Sequence, residues 1–274
     1  MNARISIVSG AGTSAGRVPS IGEAIARVLA RGGDTVAVLD IDAAGAARTV
    51  AAISDAGGKA FAIQADLTGE SECAEAVRQV IARCGRIDTL VNNVGIGLGS
   101  VVTDLDEAAF DTAMAVNLKS AMFLCKAALP HMGAGGAVVN VSTTAVHHPT
   151  ASLAYSASKS ALEALTQHVA MQFGPDGVRA NTVRPGEVWT AMVDRNCQTD
   201  EAAEALKAER TQRSLLPYHG DAWDIAELAA FLASPAAKWI TGQTISVDGG
   251  APLIRPNPDW KLHHSYWKAP KKEP

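Results

Sequence analysis

The sequence contains 274 residues, of which 47% are apolar, 19% are charged and 24 are glycines, and its formal net charge is −4. This composition excludes a disordered chain, a coiled coil and a small domain stabilised by disulfide bonds. The negative balance also argues against a nucleic acid or an anionic membrane surface as the partner.

Short apolar runs alternate with helical stretches along most of the chain. The runs that predict strands are Ile5–Ser9, Thr35–Asp40, Ala60–Ala65, Thr89–Asn92, Ala137–Ser142, Arg179–Arg184 and Thr244–Val247. The stretches that predict helices are 21–31, 43–56, 70–83, 106–132, 154–173, 200–211 and 224–234. This alternation is typical of βαβ units, so we expect an α/β fold: a doubly wound parallel sheet of about seven strands with helices on both faces.

The composition shows no sign of a second domain, so residues 1–250 are predicted to form a single domain. The polar stretch 191–220 interrupts the alternation and predicts a lid or specificity insertion. The tail, residues 251–274, carries a net charge of +3 and two of the five tryptophans. Because disordered tails are poor in tryptophan, we expect Trp260–Trp267 to dock on protein, with a neighbouring subunit as the candidate surface and a frayed tail as the alternative.

The four cysteines show no metal-ligand spacing: they are Cys73, Cys84, Cys125 and Cys197. We therefore predict no metal site and reduced thiols. No signal peptide precedes the first strand, and no apolar run reaches the ~18 residues that a membrane span needs. We expect a cytoplasmic protein.

A glycine-rich turn, Gly10-Ala11-Gly12, follows the first strand, and a helix is predicted to begin at Ile21. Glycines let backbone amides approach a pyrophosphate, which the helix N-terminus attracts. A turn without a ligand is the alternative reading of these glycines alone.

The second strand ends at Asp40, 30 residues after Gly10, and Ile41 follows. A carboxylate in this position accepts hydrogen bonds from the adenosine ribose and repels a 2′-phosphate, so it favours NAD over NADP. An ordinary loop carboxylate is the alternative.

Tyr155 and Lys159 lie four residues apart at the start of a predicted helix, on one face and one turn apart. A nearby ammonium stabilises a phenolate and lowers the pKa of a tyrosine, which then serves as a general acid or base. The spacing alone is common by chance.

Together with Asp66-Leu67, Asn92-Asn93-Val94-Gly95, Pro185-Gly186-Glu187-Val188-Trp189-Thr190 and Asp248-Gly249-Gly250, these motifs resemble the short-chain dehydrogenase/reductase family from about residue 3 to 250. The resemblance implies a single-domain Rossmann fold that binds the dinucleotide and carries the catalytic residues. The glycine turn departs from the family pattern. It holds six extra residues within Thr13–Pro19, among them Arg17, a candidate phosphate contact or a solvated side chain, and Ser20 replaces a glycine.

The resemblance also implies which residues bind the cofactor, predicted to be NAD. They are Gly10, Gly12, Ile21, Asp40, Ile41, Asp66, Leu67, Asn93, Gly95, Tyr155, Lys159, Pro185, Gly186, Val188 and Thr190.

The resemblance implies four catalytic residues: Asn117, Ser142, Tyr155 and Lys159. The family's serine lies about thirteen residues before the tyrosine, which selects Ser142. Counting along the strand from Asn140 selects Thr143 instead, and either hydroxyl could orient the substrate oxygen.

The implied reaction is hydride transfer between NAD(H) and a secondary alcohol or ketone, carried out by a homotetramer of the family type. A catalytically silent NAD-binding sensor or scaffold is the main alternative, and an enoyl reductase ranks behind it. His148, with the adjacent His147, and Trp189 are the candidate substrate contacts, although solvent exposure or core packing would account for them equally well.

Overall fold

The computed structural model describes residues 3–13, 18–98, 102–148 and 152–254. Arg17, most of the predicted loop insertion and the tryptophans of the tail lie outside these residues.

Seven parallel strands form one sheet in the order β3-β2-β1-β4-β5-β6-β7. They are β1 Ile5–Ser9, β2 Thr35–Asp40, β3 Lys59–Gln64, β4 Thr89–Asn92, β5 Ala137–Val141, β6 Arg179–Pro185 and β7 Thr244–Val247. The order reverses between β1 and β4, and ligands of such sheets bind at the carboxyl ends of the strands beside this reversal. The predicted single-domain, doubly wound fold is confirmed.

Nine α-helices connect the strands in the described part of the chain. They are α1 Ile21–Arg31, α2 Ala43–Asp55, α3 Glu70–Cys84, α4 Glu107–Met114, α5 Ser120–Ala128, α6 Leu153–Phe173, α7 Ala191–Asp194, α8 Asp200–Thr211 and α9 Ala222–Ala233.

The sheet separates two apolar cores. Val8 packs into the core beneath α1 and α9, whereas its neighbour Ile7 packs into the core beneath α3 and α5. Successive side chains of a strand point to opposite faces, so a strand covered on both sides buries its side chains at successive positions and is rich in apolar residues. The strands β1 and β5 are buried at every position, whereas β3, at the edge of the sheet, includes exposed positions.

The predicted helix 106–132 is interrupted. A π-helical turn, Ala115–Lys119, separates α4 from α5, and a 3₁₀ turn that contains Pro130 follows α5. Proline lacks the amide that a continuing α-helix needs, which ends the regular helix there. The π turn leaves no such signature in the sequence.

Within the described ranges, no helix combines the length and the apolar character needed to cross a membrane.

Candidate active site

The glycine turn and the start of α1 are held closely together. Gly10 has a φ of +60°, which glycine adopts without strain. A Cβ on Gly22 would lie 2.1 Å from the Gly10 carbonyl oxygen, so only glycine fits there. Asn93, predicted as a cofactor contact, donates from Nδ2 to this same oxygen at 2.8 Å. In this structure its side chain therefore supports the turn.

The helix α1 begins at Ile21, and the Ser20 hydroxyl caps it by accepting from the Glu23 amide at 3.0 Å. Ser20 thus has a defined local role at the position where the family has glycine. An N-terminus that follows a glycine turn suits a pyrophosphate.

Asp40 ends β2 beside the glycine turn. Its carboxylate accepts from the Gly12 amide at 2.7 Å and from the Asp42 amide at 2.9 Å. Arg48 on α2 donates to the Thr13 carbonyl at 2.6 Å and pairs with Asp42 at 3.4 Å. The carboxylate is therefore fixed by backbone amides, and the guanidinium of Arg48 is already bonded.

The other predicted adenine-side residues lie along the same edge. Ile41 is 64% exposed and Leu67 is buried. Asp66 is exposed and accepts from the Thr68 hydroxyl at 2.7 Å and the Thr68 amide at 3.0 Å. Both bonds lower the pKa of Asp66, and the bond from the Thr68 hydroxyl has the larger effect.

Lys159 is buried on α6 and donates to the Val141 carbonyl at 2.9 Å and the Val94 carbonyl at 3.2 Å. Burial lowers the pKa of this ammonium to about 8. A Cβ on Gly95 would lie 3.0 Å from Lys159 Nζ, so the glycine leaves room for the lysine.

The Thr143 side chain lies beside the Tyr155 hydroxyl. Burial raises the pKa of the Tyr155 phenol, and the Thr143 side chain partly opposes this rise. The sequence predicted a lowered pKa because of Lys159. In this structure burial outweighs any such effect, because removing the phenol from water disfavours its charged form.

The structure separates the two candidate hydroxyls. Thr143 interacts with Tyr155, whereas Ser142 Oγ donates to Glu163 Oε1 at 2.7 Å and is 3% exposed. The two residues follow one another after β5 and point in different directions, as neighbours in extended chain do. The geometry therefore favours Thr143 as the hydroxyl beside the tyrosine.

Asn117 lies in the π-helical turn and is buried. Its Oδ1 accepts from the Ile96 amide at 2.7 Å, and its Nδ2 donates to the Ile96 carbonyl at 3.1 Å and to Ser158 Oγ at 2.9 Å. The side chain thus joins the chain after β4 to helix α6. π turns are rare in proteins, and those that occur are often found at functional sites.

The predicted nicotinamide-side residues follow β6. Pro185, Val188 and Thr190 are buried, and a Cβ on Gly186 would lie 2.7 Å from the Asp248 Cα. The Ala191 amide donates to the Pro19 carbonyl at 3.2 Å. This bond brings the end of the segment to the end of the glycine loop.

Three basic residues of the predicted insertion, which we call the basic ladder, hold this segment: Lys207, Arg210 and Arg213. The Lys207 ammonium lies 5.0 Å from the centre of the Trp189 ring. Arg210 donates to the Val188 carbonyl at 3.2 Å, and Arg213 pairs with Glu187 at 2.9 Å. The basic ladder, whose residues are spaced three apart, thus contacts the three consecutive residues Glu187, Val188 and Trp189.

The two candidate substrate contacts differ in placement. His148 is exposed after the 3₁₀ turn Thr144–Val146. Trp189 is 3% exposed beneath α8, and its indole nitrogen finds no hydrogen-bond partner among the described residues. The placement of Trp189 corresponds to the core-packing alternative.

Sequence reasoning missed the ion pair of Glu163 and Arg184, whose side chains are each 14% exposed. Glu163 lies one turn after Lys159, which is the available local signal. Its partner Arg184 lies on strand β6, and no spacing rule connects the helix residue to the strand residue.

Comparisons with protein families and with individual known proteins point to the same family of oxidoreductases. A family model described as enoyl-(acyl carrier protein) reductase matches residues 15–252. The chain is 32% identical over 253 residues to the 7alpha-hydroxysteroid dehydrogenase of Escherichia coli, and the match covers 91% of this chain and 94% of that protein.

Two crystal structures show the same fold. A short-chain dehydrogenase/reductase from Burkholderia xenovorans has a TM-score of 0.86 and 35% identity, covering 92% of this chain and 97% of that one. A short-chain dehydrogenase from Burkholderia cenocepacia, in complex with NADP, has a TM-score of 0.80 and 33% identity, covering 91% and 98%. With its parallel sheet and its Tyr155 and Lys159 at the strand ends, the chain belongs to the short-chain dehydrogenase/reductase family of oxidoreductases, which bind a nicotinamide cofactor.

Proposed function

We propose that the protein transfers a hydride between NAD(H) and a secondary alcohol or ketone. The observation that carries the proposal is the placement of Tyr155 on α6, one helical turn before the buried Lys159, with the Thr143 side chain beside its phenol. These groups lie at the carboxyl ends of β4 and β5, where a doubly wound sheet binds its ligands.

The residues of this chain supply the proton chemistry. Tyr155 Oη takes the hydroxyl proton during oxidation and returns it during reduction. Thr143 Oγ1 orients the substrate oxygen beside that phenol. Lys159, whose pKa is about 8, remains mostly charged at neutral pH and would hold the nicotinamide ribose of a bound cofactor. Asn117 holds the chain after β4 next to the lysine. A bound nicotinamide would supply or accept the hydride.

Asp40 supports NAD as the preferred cofactor. Its carboxylate is fixed at the end of β2, where it would accept hydrogen bonds from ribose hydroxyls and repel a 2′-phosphate. The Burkholderia cenocepacia relative was crystallised with NADP, so the two cofactors have to be compared directly.

Turnover distinguishes this proposal from a silent sensor or scaffold. We would screen the protein with NAD and NADP against hydroxysteroids, hydroxy acids, sugars and cyclic alcohols, following the change in absorbance of the reduced cofactor. Tyr155→Phe should abolish turnover and retain NAD binding. A wild-type protein that binds NAD but oxidises no alcohol and reduces no ketone would favour the sensor.

An enoyl reductase is the second candidate, because the matching family model carries that description. Enoyl reductases of this family space their tyrosine and lysine more widely than the four residues found here. Including an enoyl thioester in the same screen decides between the two activities.

We further propose a cytoplasmic homotetramer. Helices α4, α5 and α6 expose Phe110, Met122 and Met171, at 37%, 40% and 66%. Burial of such side chains between subunits would be favourable. Light scattering behind size-exclusion chromatography measures the assembly, and a monomer at micromolar concentration would contradict the proposal.

A further inference from the structure

A partly buried ion pair lies between the segments that carry the proposed site. Glu163 is on α6, one turn after Lys159, and Arg184 is on β6, directly before Pro185. Arg184 Nε donates to Glu163 Oε1 at 3.0 Å and its terminal nitrogen to Oε2 at 2.6 Å. Two parallel bonds between planar groups fix orientation as well as distance.

Ser142 connects the third segment to this pair. Its hydroxyl donates to Glu163 Oε1 at 2.7 Å, and its amide donates to the Val183 carbonyl of β6 at 2.8 Å. Ser142 directly precedes Thr143. The glutamate therefore joins the end of β5, the end of β6 and the helix that carries Tyr155 and Lys159.

We propose that Glu163 is a positioning residue, which with Arg184 and Ser142 fixes Thr143 and residues 186–190 relative to Tyr155. The inference rests on the proposed function and deepens it. Ser142 then acts through Glu163 and not on the substrate.

The competing explanation is that the pair contributes only to stability. Buried ion pairs are weak evidence for stability, although removing one partner is destabilising because the other charge is left unpaired. A test must therefore compare Glu163 with a residue that is equally structural but remote from the site.

Arg179 provides this control. It lies on the same strand as Arg184 but at the opposite end, and it is 8% exposed. Its guanidinium donates to the Leu232 carbonyl at 2.7 Å and the Ser234 carbonyl at 3.1 Å, both at the end of α9. Arg179→Met should destabilise the fold without moving the site.

The first measurement is amide hydrogen exchange on the purified proteins, well below their melting temperatures and without substrate. Glu163→Gln should increase exchange at least fivefold in residues 142–148 and 186–190, whereas Arg179→Met should leave both segments at wild-type rates. Ser142→Ala keeps the ion pair and should affect residues 142–148 alone. If Glu163→Gln does not fold, Ser142→Ala is used to test the inference instead.

The second measurement is turnover with an alcohol found in the screen. Glu163→Gln should lower kcat at least tenfold in the wild-type background but by a smaller factor in Thr143→Ala, because the part of the loss that acts through the positioned hydroxyl is then already gone. Multiplicative losses, or equal exchange in Glu163→Gln and Arg179→Met, would overturn the inference. Absence of turnover in the wild type refutes the proposed function alone, since the exchange comparison does not depend on it.

Discussion

Burial acts in opposite directions on the pKa values of the two central residues. It raises the pKa of Tyr155 and lowers that of Lys159 to about 8, because it disfavours the charged form of each group. The Thr143 side chain is the group that lowers the tyrosine pKa. The hydroxyl of residue 143 therefore has two proposed tasks: orienting the substrate oxygen and making the phenol a better acid.

Replacing Thr143 tests this assignment. Thr143→Ala should lower kcat by about 10²-fold, the typical cost of losing a donor to a reacting oxygen. It should also shift the tyrosine limb of the pH–rate profile upward, whereas Thr143→Ser should retain most of the activity. Steady-state kinetics between pH 6 and 10 give the loss in kcat, and extending them to pH 11 follows the tyrosine limb, because burial raises the pKa of Tyr155 above its ordinary value. A larger loss in Ser142→Ala than in Thr143→Ala would restore Ser142 as the catalytic hydroxyl.

The cofactor preference is also decided at one residue. Asp40→Ser should raise the KM for NAD about tenfold to a hundredfold, because bonds to a charged acceptor are worth about 1.5–3 kcal/mol. The KM for NADP should not rise in the same proportion. Asp42→Ser is the matched control, since serine also caps a helix at this position. A wild-type protein that prefers NADP would contradict the argument.

At the scale of elements, helix α8 is attached to the nicotinamide-side segment through the basic ladder. The Arg213–Glu187 pair is about half exposed, so it contributes little to the stability of the fold. Its consequence is local: it restrains residues that are proposed to contact the cofactor. A restrained segment loses less conformational freedom when a ligand binds.

Removing the two arginines should therefore weaken cofactor binding more than it weakens the fold. For Arg210→Met with Arg213→Met we expect an increase of about three- to fivefold in the Kd for NADH, equivalent to roughly 1 kcal/mol. The thermal midpoint should change little. Fluorescence titration measures the affinity, and Arg78→Met, which removes an exposed ion pair on α3, is the control. An unchanged Kd would show that the ladder does not restrain the segment.

The elements were predictable where periodicity and turn chemistry decide them. β1 and β2 begin and end where the apolar runs do, and α1 begins directly after its serine cap. The break at residues 115–119 was not predictable, because a π turn depends on which amide meets which carbonyl. The choice between Ser142 and Thr143 stayed open because counting from Asn140 and from Tyr155 gives different answers. Only side-chain contacts across segments separate these two residues.

At the scale of the whole molecule, burying Lys159 costs stability that depends on pH. Between about pH 8 and 10.5 the unfolded chain keeps the proton on this lysine while the folded chain has lost it. Because the unfolded state binds more protons, the stability contribution of Lys159 rises with pH across this window. The shift from 10.5 to about 8 corresponds to about 3 kcal/mol.

Urea unfolding of the wild type and Lys159→Met tests this sign. The free energy of unfolding of the wild type relative to the variant should increase from pH 7.5 to pH 10 by up to about 3 kcal/mol. Burial raises the pKa of Cys73 and Cys125 to about 12, which lowers stability above pH 9 in both proteins and cancels in the difference. A difference that is flat with pH would contradict the prediction.

Because Asn117 lies in a π turn, the site depends on the number of residues between α4 and α5. In this turn the Ser120 amide bonds to the carbonyl of Ala115, five residues back, so the helix carries one residue more than a regular helix with bonds four residues back. Losing one residue here would restore regular bonding and leave α4 and α5 close to their present relative orientation, because the wide turn only absorbs the extra residue; the backbone that carries Asn117 is what would change. Asn117 could then no longer face both Ile96 and Ser158. Among homologues, single-residue deletions between α4 and α5 should therefore mark lineages that have abandoned this site, whatever residue types they retain.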